Sequence, residues 1–98
     1  MNHLNITLPT WLERLPVRDQ PRARARFLLK IAACLATEEG SISVLSQRLG
    51  LHRNSLNAML AQGAMDDGIP VNIIKAIEAS IGPGVIPRGT MNPQIYGE

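Results

Sequence analysis

Apolar and polar positions along this chain recur with helical period, most densely between Ser41 and Gln62. Ile42, Leu45 and Leu49 return at three- and four-residue spacing with small Ser46 on the same face, which predicts one apolar stripe on a short helix. Gly50 breaks the pattern where a residue able to take positive φ is useful. Leu51 follows as an expected buried plug, and Leu56, Met59 and Leu60 form the stripe of a second helix from Arg53 to Ala61. Helices of about two turns are not stable alone. They must share a core, and the glycine turn sets the angle between them.

On the N-terminal side, Met1 to Thr7 is polar and reads as loose at its start. Leu8, Trp11, Leu12 and Leu15 then sit at helical spacing. Thr10 is placed to cap a short helix from Trp11 to Leu15, and Pro16 ends it. This segment is either a lid that completes the core or a docking or dimerisation element led by Trp11. Pro21 suits the first turn of a helix running to about Thr37, with Phe27, Leu28, Ile31, Ala32, Cys34 and Leu35 inward. Arg22, Arg26 and Lys30 line another side, four residues apart; they form a solvated face or contact phosphates. Glu38 and Glu39 near its end are poorly placed for the helix dipole. Gly40 terminates the helix and Ser41 caps the next.

Beyond the helix pair, Gly63 stops the second helix, and Ala64 to Gly68 reads as a loop whose Asp66 and Asp67 form an acidic spot. Pro70 opens another helix with Ile73, Ile74, Ile77 and Ile81 on its apolar side, closed by Gly82 and Pro83. The tail, residues 82–98, is too rich in glycine and proline for a long helix. Val85, Ile86, Met91, Ile95 and Tyr96 are too apolar for a free linker and should dock onto the helices or a second subunit. The pattern predicts a single all-α domain over 1–98, a compact bundle of about five helices. Residues 1–20 are an N-terminal segment, 21–81 the helical core and 82–98 a docked irregular tail.

Ninety-eight residues with 45 % hydrophobic content suit one folded domain with a modest core. Only Trp11, Phe27 and Tyr96 are aromatic, so that core must be aliphatic. No apolar run approaches a membrane span, and the N-terminus lacks the layout of a signal peptide. The single cysteine, Cys34, lies in an apolar run and is expected buried and reduced. Together these features point to the cytoplasm as the expected compartment. Formal net charge is only +2, mild for a nucleic-acid binder. Five basic residues and one acid fall between Arg18 and Lys30, while residues 41–98 balance at four of each. Attraction to DNA phosphates would therefore lean on the first long helix.

The helix pair resembles the helix-turn-helix of phage Cro/CI-type repressors. The match rests on Ser46 where the helices touch, Gly50 in the turn, Leu51 after it, and Leu56 and Met59 inward, about a fifth of the chain. The resemblance implies a lambda-repressor-like fold and a DNA-binding regulator acting by occlusion of an operator. The ending Met91, Asn92, Pro93, Gln94, Ile95, Tyr96 is also similar to the C-terminus of YdaS-type prophage regulators, with Asn92 where that group carries a basic residue.

Enzyme chemistry finds no support in the residues. His3 and His52 have no Cys or carboxylate at metal-ligand spacing, Cys34 has no evident activating base, and the glycine-rich stretches match no phosphate-binding loop. Neither metal nor cofactor is expected. With Leu56, Met59 and Leu60 inward, the second helix presents polar residues that are either a solvated surface or a base-reading edge. Arg53 can pair with guanine, Asn54 or Asn57 with adenine, and Ala58 can touch a thymine methyl. Gln47, His52 and Ser55 could hold phosphates, together with Arg22, Arg26 and Lys30 on the long helix. No acid lies between Ser41 and Met65. One module offers few contacts, so a homodimer on a palindromic double-stranded site is expected. Trp11, Ile86, Met91, Ile95 and Tyr96 are the candidates for its interface. The alternative is a protein-interaction module or antitoxin, the helix pair serving as scaffold.

Overall fold

A computed structural model of the chain describes residues 6–97. Met1–Asn5, and with them His3, lie outside the described residues, as does Glu98. Among the described residues the regular structure is helical, with no strand. Two short 3-10 turns, Thr10–Arg14 and Val17–Asp19, lead into α1 (Gln20–Ala36). Then come α2 (Ile42–Arg48), α3 (Ser55–Ala61), α4 (Val71–Ile81) and two single-turn helices, α5 (Arg88–Met91) and α6 (Pro93–Tyr96). The all-α expectation holds. Among the described residues six α-helices stand where about five helices were expected, because the tail winds into two single turns.

The entry segment differs in detail from the sequence reading. Thr10 lies inside the first 3-10 turn rather than capping it; Pro9 holds the cap position and its carbonyl accepts the Leu12 N–H at 3.2 Å. Gln20 then donates from Nε2 to the Leu15 carbonyl at 3.0 Å, fixing the turn to the start of α1. Thr37 closes the far end of α1: its hydroxyl donates to Ala33 O at 2.8 Å and accepts from Gly40 N–H at 2.9 Å.

One aliphatic cluster joins α1 through Leu28 and Leu29, α2 through Leu45, α3 through Leu56 and Leu60, and α4 through Ile73, Ile74 and Ile77. Met65, in the segment read as a loop, and Ile69 just after it are fully buried in the same cluster. The inward side of α1 is rotated from the expected one. Ala25, Leu28, Leu29, Ala32 and Ala33 are buried, Phe27 and Ile31 are half-buried, and Cys34 and Leu35 are exposed. The reason is physical. From Phe27 to Ala36 the helix is apolar nearly all round, so its period does not fix its phase. The alanines win the inner face because they let neighbouring helices approach closely. Cys34 is accordingly an exposed thiol, not a buried one.

The tail docks on the helices of its own chain. Ile86 and Met91 are 2 % and 1 % exposed within the core, so they leave the set of possible dimer contacts. Asn92 holds this docking. Its Nδ2 donates to Ile69 O at 2.9 Å and its Oδ1 accepts from Ile95 N–H at 3.2 Å, while Ile69 N–H donates to Met91 O at 3.1 Å. The buried amide thus has both its ends paired, as a buried polar group requires.

Candidate nucleic-acid interface

The turn between α2 and α3 is built by backbone rules. Gly50, at φ +81°, lets its N–H reach Gln47 O at 3.0 Å and the Leu51 N–H reach Ser46 O at 2.9 Å, the paired closure of a glycine-terminated helix. The next turn is held by His52. Its carbonyl accepts the Ser55 N–H at 3.0 Å and its ring Nδ1 accepts the Asn54 N–H at 3.1 Å. In the neutral ring this places the proton on Nε2, as a donor.

The start of α3 needs acceptors for its first N–H groups. Asn54 occupies the N-cap position but makes no side-chain cap bond. Ser46, buried on α2, accepts the Leu56 N–H at 3.1 Å instead. The cap thus comes from ten residues upstream. The consequence is a correction: Arg53 and Asn54 belong to the turn, and the helix starts at Ser55. They lead the helix rather than ride on it.

The polar edge stays open. Gln47, His52, Arg53, Asn54 and Asn57 are exposed, and Ser55 and Ala58 are half-buried, while Leu56 and Leu60 turn inward as expected. Asn57 Nδ2 donates to Ser43 Oγ at 3.3 Å, which ties the outer side of α3 to that of α2. Ser43 was not singled out in the sequence. Only the register of the two helices, fixed after folding, brings it within reach of Asn57.

The basic side of α1 is a separate surface. Arg22 lies between two carboxylates, Asp19 at 3.7 Å and Asp66 at 3.9 Å, all three side chains being well exposed. Arg26 and Lys30 are exposed. Arg26 shares a shallow hollow with Trp11 and with Leu60 and Ala61, at the opposite end of α3 from Arg53.

The remaining ion pair lies in the tail. Arg88 forks onto Glu78 of α4, Nε to Oε2 at 2.8 Å and the terminal nitrogen to Oε1 at 2.7 Å, and stands 5.2 Å from the centre of the Tyr96 ring. That hydrogen bond holds the Glu78 carboxyl below its ordinary range, partly opposed by burial, and raises Arg88 above its own. Nothing in the sequence marks this pair, ten residues apart across a Gly-Pro turn. Among the described residues no three His, Cys, Asp or Glu side chains gather as metal ligands, and no helix is long and apolar enough to cross a membrane. Set against protein-family profiles, curated proteins and solved structures, the chain matches none.

Proposed function

We propose that the protein is a sequence-specific DNA-binding regulator of transcription, working in the cytoplasm as a small Cro-like prophage repressor dimer on an operator. The observation that carries this reading is the cap borrowed from Ser46. It leaves the Asn54 amide outside the helix's own capping, beside exposed Arg53 at the leading end of α3. In this reading α3 enters the major groove end-on. Arg53 takes guanine, Asn54 and Asn57 take adenine, and Ala58 packs on a thymine methyl. Gln47, the His52 Nε2–H and the Ser55 hydroxyl hold phosphates.

The test is selection of bound duplexes from a random pool, with the half-site spacing read from the winners. Arg53→Ala and Asn54→Ala should each lose discrimination between selected and random duplexes, worth about 1–3 kcal/mol for a lost two-point base contact, with the fold intact. Unchanged discrimination in both variants overturns the assignment of this edge. A second reading, a protein-interaction module or antitoxin, is favoured by Trp11, which is 48 % exposed beside an apolar hollow. A salt titration separates the two, since DNA binding weakens steeply with salt and apolar docking does not.

A further inference from the structure

Trp11 stands between two hollows beside α1. On one side of it, Ala23 and Leu60 help to line about 410 Å³. On the other, Ala23, Phe27 and Ile42 line about 300 Å³. Ala23 and Arg26 belong to both, so the two meet at the half-exposed indole as one groove. The groove touches both helices of the pair, α2 at Ile42 and α3 at Leu60. Among the described residues, the charges around it left without an ion pair are both basic. Arg26 lines both hollows, Lys30 lines the second one turn further along α1, and both are exposed. Asp19 and Arg22, which also line the first hollow, face each other at 3.7 Å. Ala23, Phe27 and Ile42 offer no hydrogen-bonding side chain, and the backbone of α1 spends its N–H and C=O groups within the helix. An extended segment laid here would find no main-chain partner, whereas a helix arrives with its own bonds closed.

We infer that this groove takes an acidic amphipathic helix from a partner protein. Two apolar side chains of that helix, three or four residues apart and so about 5–6 Å from each other on its surface, sit one on each side of Trp11. Carboxylates beside them meet Arg26 and Lys30. DNA phosphates would answer the same two cations but would leave Trp11, Phe27 and Ile42 uncovered. The inference rests on the protein-interaction reading of Trp11 and gives that partner its chemistry. It is independent of duplex binding at Arg53 and Asn54.

The test uses the full chain to select from phage displaying random peptides several helical turns long. Enriched peptides should carry apolar residues three or four apart, with Asp or Glu among them and no excess of Lys or Arg. A synthetic peptide of that consensus, made without tryptophan, is then titrated into the chain. Trp11 is the one tryptophan present, so its emission should move to the blue as the groove is covered. Arg26→Gln/Lys30→Gln should weaken binding about tenfold, two exposed charge pairs being lost. Ala23→Gln crowds the floor with a good helix former and should weaken binding at least as much; both variants should keep wild-type helicity. Enrichment of neutral or basic peptides overturns the acidic assignment and leaves protein docking standing, while no enrichment at all overturns both. Binding that ignores both variants, or leaves Trp11 emission unmoved, also overturns the inference. So does loss of duplex affinity in the double variant with no peptide enriched, which gives the two cations to phosphate. A wild-type dimer that the double variant reduces to monomer gives the groove to a second copy and overturns it as well.

Discussion

At position 46 a single hydroxyl fills two needs. Its small size lets α2 and α3 touch, and its oxygen caps a helix to which it does not belong. Replacing Ser46 with Ala keeps the close approach and leaves the Leu56 N–H buried without an acceptor. The expected loss is about 1–2 kcal/mol of unfolding free energy, the usual cost of an orphaned buried donor, measured by urea denaturation. Asn54→Ala should behave oppositely. Because its side chain makes no cap bond, stability should stay within about 0.5 kcal/mol, as at an ordinary surface position. A large loss at Asn54 would show that its amide is committed to the fold after all. The contrast separates the residue that builds the turn between α2 and α3 from the residue that the turn leaves exposed.

The elements were readable in the sequence to different degrees, for one physical reason. The α2–α3 pair was legible because its apolar positions are sparse and periodic, and because Gly50 marks the break. The isoleucines of α4 were legible for the same reason. The phase of α1 was not, since apolar residues surround it and close packing of Ala25, Ala32 and Ala33 decided the matter. The docking of the tail was not legible, because the bonds that fix it are non-local, running from Asn92 to Ile69 and from Arg88 to Glu78; its single turns are closed by local bonds too few to stand out among glycines and prolines. Two glycines test this distinction. Gly50 has φ +81° and nothing within 4 Å of an added Cβ, so Gly50→Ala should cost only the conformational strain, about 1–2 kcal/mol. Gly68, at φ +116°, would put its Cβ 3.0 Å from Asn92 Cγ. Gly68→Ala adds displacement of a paired buried amide to the strain and should cost about 3 kcal/mol or more. Equal losses at the two sites would mean that the Asn92 contact is not what closes the tail.

For the whole molecule, the balance of charge matters less than its placement. Net charge is +2, yet Arg22 faces two carboxylates, Arg88 is locked to Glu78, and Arg53 stands on an edge with no acid between Ser41 and Met65. The Glu78–Arg88 fork is the charged fastening between α4 and the tail, with the Glu78 side chain only 11 % exposed. It gives the fold a defined acid response. Arg88 donates to the Glu78 carboxylate, and this favours the ionised form in the folded state, lowering its pKa from 4.5. A carboxyl whose folded pKa is depressed stabilises fully above its unfolded value and loses that contribution as pH falls through the folded one. Arg88 stays protonated throughout, its own pKa being raised. Glu78→Gln should therefore lower the melting temperature near neutrality. The gap to wild type should narrow as pH falls through the lowered folded pKa of Glu78, where the wild-type carboxyl takes up its proton. Over the same interval, the amide protection of Ile95 and Tyr96, taken relative to the intrinsic exchange rate at each pH, should fall in wild type while that of α2 and α3 holds. A gap that stays constant as the medium is acidified would show that the fork does not fasten the tail, leaving the Asn92 hydrogen bonds and the apolar docking of Ile86 and Met91 to hold it.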